Sequence, residues 1–324
     1  MPRRLRLLAF ALSISAAGVA TGAGVETALA LLSDQETIAS TFGTAISFDT
    51  LAPNVERTVG SKTAPYLAGY IRQGGPYYVY ANVTDGGSPA SGVASVTADV
   101  SSITSGQTAV MLSSGAYSSE GVSYNFRSAA LTANASLTHG AAGYSLTARD
   151  VAGNSRTASG YSMTVDNTAP APSDVQTANA GATAGRAETG DTITFTFSEP
   201  IEPHSILAGW TGAATTVVVR LADGGAGGDT LTVWNAANTA ALPLGSVNLK
   251  SNYTGAGASF TGSSMVRSGS AVTITLGAAG GDIKTATGQG ANMVWTSSSS
   301  ATDRAGNACV VANVTETGAS DKEF

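Results

Sequence analysis

Residues 144–154 read Tyr144-Ser145-Leu146-Thr147-Ala148-Arg149-Asp150-Val151-Ala152-Gly153-Asn154. Apolar and polar side chains alternate up to Asp150, which is the period of a strand that buries one face. The following Asp-x-Ala-Gly-Asn offers a carboxylate that accepts backbone hydrogen bonds and a glycine that adopts positive φ without a steric clash. The stretch therefore predicts a half-buried strand that ends in a tight turn.

The same alternation recurs between clusters of Gly, Ser, Asn and Asp, and no long amphipathic helix pattern interrupts it. The inward members of each run are expected to form the core, and they are Val96, Ala98, Val100, Val122, Tyr124, Phe126, Tyr144, Leu146, Ala148, Tyr161, Met163, Val165, Ile193, Phe195, Phe197, Val217, Val219, Leu221, Leu231, Val233, Val272, Ile274 and Leu276. Many short strands with turn-rich connections are typical of a β-sandwich or barrel.

The turn motif occurs a second time, at Asp303-Arg304-Ala305-Gly306-Asn307. Between the two copies, Pro170 and Pro172 interrupt any central strand. Nine of the ten tyrosines precede residue 170, whereas all three tryptophans follow it. We therefore expect an all-β fold of two tandem sandwiches. We place them at residues 51–167 and 173–316, joined by a proline-containing linker at 168–172 and followed by a tail at 317–324.

The N-terminus has the order of a secretory signal. Arg3, Arg4 and Arg6 precede an apolar run at 7–20, and Ala28-Leu29-Ala30 resembles a cleavage site. We predict a signal peptide at 1–30 and an extended segment at 31–50. The mature protein is then extracellular or on the cell surface, and meets the membrane only transiently through the signal peptide. A membrane anchor is the alternative, although glycines dilute the apolar run.

Composition argues against several function classes. The formal net charge is −6, which disfavours nucleic-acid partners because phosphates require a basic surface. Two histidines and one cysteine leave little material for a metalloenzyme or a disulfide scaffold. Cys309 lies in an apolar run and is expected to be a buried thiol. We expect no enzyme.

Three segments resemble known families. Residues 144–154, followed by Met163-Thr164-Val165-Asp166-Asn167-Thr168-Ala169-Pro170, resemble the end of bacterial immunoglobulin-like repeats found in adhesins. Gly190-Asp191-Thr192-Ile193-Thr194-Phe195-Thr196-Phe197-Ser198-Glu199-Pro200-Ile201 is similar to the opening of the surface-layer type of immunoglobulin-like domain. Residues 31–44 resemble the start of secreted biofilm-matrix fibre and camelysin-type proteins. The resemblance implies immunoglobulin-like sandwiches that serve as a cell-surface spacer or adhesive scaffold. The implied partners are surface or matrix proteins or polysaccharide.

Related tandem domains often hold a hard cation at their junction, so the resemblance also points to calcium, which takes six to eight oxygen ligands. The candidate donors share an Asp or Asn in a turn, and they are Asp85, Asp150, Asn154, Asp166 and Asn167 in the first unit and Asp303 and Asn307 in the second. The alternative is that each residue only braces its own turn and no metal binds. No other cofactor is expected.

Two further functions stay open. In a self-assembling fibre subunit, residues 31–51 would add as a strand to the sheet edge of a neighbouring copy. In a secreted hydrolase, Glu199 and Glu202 would form the carboxylate pair. The simpler interpretation of these two glutamates is a loop that carries ordinary acids ahead of prolines.

Overall fold

The computed structural model describes residues 48–62, 67–287 and 290–324, and 50% of these residues lie in strands against 2% in helix. The strands form two sheets, which confirms the predicted all-β fold of two sandwiches. The predicted signal peptide at 1–30 lies outside the described residues, as does the segment at 31–50 up to residue 47. Phe48–Phe324 form one compact unit that contains both sheets.

Nine strands of the described chain form the first sheet, in the order β1-β3-β6-β5-β4-β8-β9-β2 with β7 paired to β3. They are β1 Asn54–Ser61, β2 Tyr70–Ile71, β3 Pro76–Thr84, β4 Val93–Asp99, β5 Val110–Ser119, β6 Val122–Ser128, β7 Leu131–Thr132, β8 Gly140–Asp150 and β9 Ser155–Val165. β8 and β9 form an antiparallel hairpin around the turn at 150–154, as predicted. β1 lies against β9 near the other end of this order, so the sheet curls around one core.

The second sheet has ten strands within the described residues, in the order β10-β11-β16-β15-β12-β13-β14-β18-β19 with β17 paired to β15. They are β10 Pro172–Ala178, β11 Thr192–Phe197, β12 Thr215–Ala222, β13 Thr230–Asn235, β14 Ser246–Asn248, β15 Thr254–Ser268, β16 Ala271–Thr275, β17 Ala278–Ile283, β18 Val294–Thr296 and β19 Asn313–Thr315. A single helical turn, α1, covers Pro203–Ile206. β10 begins at Pro172, a position that suits proline because the first residue of a terminal strand need not donate to the ladder.

The predicted inward residues form two separate cores, one inside each sheet. Val96, Leu146 and Val165 are fully buried in the first core. In the second core Trp295 is fully buried, its ring making edge contacts with Phe195 and Phe197 at centroid distances of 5.2 and 4.9 Å. Two predicted inward residues, Val122 and Tyr161, are only half-buried, and Tyr161 packs against Tyr144. Period-two alternation therefore identified the buried faces correctly.

Candidate metal centres

The turn at 150–154 is braced by its own aspartate. Oδ1 of Asp150 accepts a 2.7 Å hydrogen bond from the backbone N–H of Asn154, and Oδ2 accepts one of 2.8 Å from the Asn154 side chain. Gly153 has φ +100°, a conformation that favours glycine. Bracing of the turn by Asp150 is thus observed directly.

The turn at 303–307 repeats this arrangement. Oδ1 of Asp303 accepts from the backbone N–H groups of Gly306 and Asn307 at 2.6 and 2.8 Å, and Oδ2 accepts from Nδ2 of Asn307 at 2.7 Å. Asp303 is fully buried and Asp150 is 1% exposed. The two sandwiches therefore use the same device at the same place, and burial makes both carboxylates sensitive to neighbouring charges.

Each turn also holds the segment through which the chain enters its sandwich. Nδ2 of Asn154 donates to the backbone oxygen of Asp49 at 3.0 Å, and Nδ2 of Asn307 donates to the backbone oxygen of Asp166 at 2.8 Å. We call the end of each sandwich that contains the turn at 150–154 or 303–307 its entry end. Both asparagines present their amide nitrogen here, because the oxygens around them are acceptors.

The entry end of the first sandwich brings three carboxylates together. Asp49, Asp85 and Asp150, called the first cluster, each place one oxygen within 4.8 Å of the others. Oδ2 of Asp85 accepts from the backbone N–H of Gly92 at 2.6 Å, while its Oδ1 is enclosed and has no hydrogen-bond partner among the described residues. Hydrogen bonds from Ser91 and the backbone of Leu51 lower the pKa of Asp49, so this carboxylate is ionised.

The equivalent group lies at the junction of the two sandwiches. Asp166, Glu199 and Asp303, called the junction cluster, also lie within 4.8 Å of one another through one oxygen each. Oε1 of Glu199 is enclosed and has no hydrogen-bond partner within the described part of the chain. Burial, and then the negative charges of Asp166 and Asp303, raise the pKa of Glu199 to about 7. Burial likewise raises the pKa of Asp303.

The structure brings the predicted aspartates together, whereas the predicted asparagines take other positions. Asp85 and Asp150 meet in the first cluster, and Asp166 and Asp303 meet in the junction cluster. Asn154 and Asn307 direct their amide nitrogens at Asp150 and Asp303 and brace these carboxylates. Asn167 joins neither cluster. Its Oδ1 accepts from the backbone N–H of Gln73 at 2.8 Å and its Nδ2 donates to the backbone oxygen of Leu137 at 2.8 Å, so it fastens loops of the first sandwich.

The sequence interpretation did not place Asp49 or Glu199 among the ligands. A signal for Asp49 exists, because Asp49-Thr50-Leu51-Ala52-Pro53 and Asp166-Asn167-Thr168-Ala169-Pro170 share the pattern Asp-x-x-Ala-Pro. Asp85 and Glu199 lie just after β3 and β11, and each of these strands is the second from one edge of its sheet. The clusters are thus two copies of one site, except that a glutamate replaces an aspartate.

Other side chains connect the sandwiches around the junction cluster. Nζ of Lys62, in the first sandwich, lies 3.7 Å from Oε2 of Glu202 and 3.5 Å from the backbone oxygen of Asp303. The guanidinium of Arg304 lies over the ring of Tyr70 at 4.3 Å, and its Nη1 donates to the Tyr70 hydroxyl at 2.9 Å. Burial lowers the pKa of Lys62, although Glu202 and Asp303 oppose this shift. These contacts fix one sandwich against the other.

The two glutamates of the hydrolase hypothesis occupy different surroundings. Glu199 belongs to the junction cluster, whereas Glu202 is only 2% exposed and faces Lys62. A carboxylate buried in this way is poorly placed to meet a polysaccharide chain. Cys309 is also buried, as predicted, and burial raises the pKa of its thiol.

Comparison of the chain with protein-family models, with curated proteins and with solved structures found no match. Within the residues that the structure describes, no helix has the length and apolar character needed to cross a membrane.

Proposed function

We propose that this chain is a non-enzymatic extracellular module that acts as a cell-surface spacer or binding scaffold, with calcium bound at the entry ends of its sandwiches. The junction cluster is the observation that carries the proposal. It takes Asp166 from the end of the first sandwich and Glu199 and Asp303 from the second. A cation held there would join the sandwiches directly.

Electrostatics supports a cation at the junction. Three carboxylates lie within 4.8 Å of one another in a partly buried place, and burial, together with the charges of Asp166 and Asp303, raises the pKa of Glu199. A bound divalent ion would remove this repulsion and satisfy the enclosed Oε1 of Glu199. Calcium suits a site of this kind because its ligands are carboxylate and carbonyl oxygens in flexible geometry.

A spacer must resist bending, and the junction is built for this. Lys62 with Glu202, Arg304 with Tyr70, and Asn307 with Asp166 are three contacts that cross from one sandwich to the other. Two domains of one chain usually move relative to each other unless the interface between them is large and apolar. The buried charges and the cluster beside them would restrict that motion most strongly when calcium is present.

Adhesion would use the outer faces, and an open groove on the second sandwich is suited to polysaccharide. Arg220, Thr232, Trp234, Asn238 and Ser259 lie along this groove, whose volume is about 630 Å³. Arg220 covers one face of the Trp234 ring at 3.5 Å and is held by Asn238. An aromatic ring beside amide and hydroxyl groups matches the mixed apolar and polar surface of a sugar.

A fibre subunit is the second candidate, and β17 favours it. Five of its six residues are exposed, and within the described chain it pairs only with β15, so its outer edge is open. It also lacks the lysines and prolines that commonly protect an edge. The segment at 31–50 of another copy would be the added strand. The hydrolase is the remote alternative, and it predicts an activity that is lost in Glu202→Gln.

Sedimentation velocity of the purified protein separates these functions. A spacer remains monomeric at all concentrations and becomes more frictional in chelator, because the junction loosens. Asp303→Asn should abolish the calcium effect, whereas the matched variant Asp150→Asn, at the other entry end, should retain most of it. Growth into large species that is lost on deletion of 31–51 would instead identify a fibre subunit.

A further inference from the structure

A third group of acids lies beyond β19, away from both entry-end clusters. Glu316, Asp321 and Glu323, called the tail cluster, place one carboxylate oxygen each within 4.8 Å of one another. None of them belongs to the Asp-x-Ala-Gly-Asn turns or to the repeated Asp-x-x-Ala-Pro segments. The tail cluster therefore has no counterpart in the pattern that explains the other two.

The backbone around the tail cluster is held in place on both sides. Nδ2 of Asn292 donates to the backbone oxygen of Glu316 at 3.1 Å, and Oγ of Ser320 donates to Oδ1 of Asn292 at 2.6 Å. The backbone N–H of Gly185 donates to the oxygen of Phe324 at 2.6 Å, and the Phe324 ring packs edge-on against Tyr253 at 5.7 Å. The carboxylates thus converge because the folded-back chain directs them there.

One carboxylate oxygen of the tail cluster is buried without a partner. Glu323 is 1% exposed, and its Oε2 accepts a 2.6 Å hydrogen bond from Oγ1 of Thr177. Its Oε1 is enclosed and has no hydrogen-bond partner among the described residues. A buried, unsatisfied carboxylate oxygen is costly, so such an atom points to a missing ligand.

Among the described residues, the tail cluster forms no ion pair with a basic side chain. Asp174 lies close enough to add to the negative potential at Glu316. The Asp174 carboxylate is itself held by the backbone N–H and hydroxyl of Thr317, at 3.0 Å each.

We propose that the tail cluster is a third site for a hard divalent cation, with calcium as the ion that fits it best. Glu316, Asp321 and Glu323 would ligate it, and Oε1 of Glu323 would gain its missing partner. Glu316 is 7% exposed whereas Asp321 is exposed, so the site is closed on the protein side and open to solvent on the other. An ion therefore has a path of entry, and water can complete its coordination.

Burial and the facing Glu316 raise the pKa of Glu323 to about 8, and burial raises the pKa of Glu316 as well, in line with the enclosed position of both carboxylates. The bound ion would fasten residues 316–324 to β10 through Thr177 and stabilise the folded-back tail. This site is independent of the proposed spacer function.

Calcium chloride titration of the purified protein at pH 7.5, followed by calorimetry and by hydrogen exchange, tests the proposal. Wild type should bind one more calcium than Glu323→Gln, which keeps the shape of the side chain. Calcium should slow exchange of the amides at 317–324 in wild type and leave them unchanged in the variant. The first and junction clusters are monitored separately through the amides at 150–154 and 303–307.

Two more variants keep the test decisive if Glu323→Gln unfolds. Asp321→Asn removes an exposed ligand without disturbing the core and should weaken binding at the tail at least tenfold. Asp282→Asn, an exposed acid of the same sandwich that pairs with Lys284 at 3.6 Å, should bind calcium as wild type does. An unchanged calcium affinity at the tail in Asp321→Asn, with the amides at 317–324 protected at the same calcium concentration as in wild type, would overturn the proposal, whatever happens at the junction.

Discussion

Nδ2 of Asn307 donates a 2.8 Å hydrogen bond to the backbone oxygen of Asp166, which joins the closing turn of the second sandwich to the end of the first, just before the linker. Asn154 makes the same contact to Asp49 in the first sandwich, at 3.0 Å. The repeated contact places one aspartate of each incoming segment beside the aspartate of each turn. It is the reason that three acids meet at both entry ends.

Asn307→Ala should weaken the junction more than it weakens either sandwich. The substitution leaves the Asp166 oxygen and Oδ2 of Asp303 without this donor, at a cost of about 1–3 kcal/mol in the free energy of unfolding. Asn154→Ala is the matched control and should lose a similar amount without altering the angle between the sandwiches. The free energy comes from chemical denaturation and the angle from X-ray scattering. Equal scattering changes in the two variants would contradict the assigned role of Asn307.

Glu199→Gln should stabilise the calcium-free protein in a pH-dependent manner. The pKa of Glu199 is raised to about 7 in the folded state, above its unfolded value, so its favourable contribution is complete at low pH and is lost as pH rises through 7. Glutamine imitates the protonated form. Calorimetric melting in chelator should therefore show a melting temperature above wild type at pH 8 and little difference at pH 5. A difference that is largest at pH 5 would refute this assignment.

Lys62→Met should destabilise the protein because it removes the ammonium that lies 3.7 Å from Glu202, a carboxylate that is 2% exposed and that also lies 3.6 Å from Nδ1 of His204. Removal of one partner of a buried ion pair costs about 3–5 kcal/mol. Adding Glu202→Gln to Lys62→Met should restore part of the loss, since the uncompensated charge disappears. Urea unfolding of the two single variants and the double variant measures the coupling. Additive losses would show that the two side chains do not interact.

Trp295→Ala should cost about 3–5 kcal/mol of stability, the usual range for a large aromatic residue in a core. The residue is fully buried, contacts Phe195 and Phe197, and donates from Nε1 to the backbone oxygen of Leu244 at 2.7 Å. Trp234→Ala is the control, because Trp234 is half-buried and its cation–π contact with Arg220 accounts for only about 0.5–2 kcal/mol. Similar losses of unfolding free energy in both variants would contradict the assignment of Trp295 to the centre of the core.

The fold was predictable because local alternation determines which face of a strand is buried. Ile193, Phe195 and Phe197 alternate with threonines, and each is buried as expected. The order of strands was not predictable, because pairings such as β2 with β9 depend on contacts distant in sequence. The parallel pairing of these two strands left no local pattern.

The candidate site was half predictable. Asp150 and Asp303 each begin an Asp-x-Ala-Gly-Asn motif, and the Gly and Asn of this motif identify a tight turn that the aspartate braces. The role of these two aspartates in their turns could therefore be predicted from the sequence. Glu199 belongs to no such turn motif, and it reaches Asp166 and Asp303 through the packing of the second sandwich. The tail cluster was invisible for the same reason, since its geometry depends on how Phe324 packs against Tyr253.

Small-angle X-ray scattering of the purified protein in calcium and then in chelator measures whether calcium stiffens the junction. A calcium-stiffened spacer should give a narrow distribution of interatomic distances in calcium that broadens in chelator, and Asp303→Asn should show no such response. Identical scattering of wild type with and without calcium would contradict a calcium-stiffened spacer. Asp166 and Asp303 would then only brace their own turns, and Glu199 would share a proton with them instead of binding a metal ion.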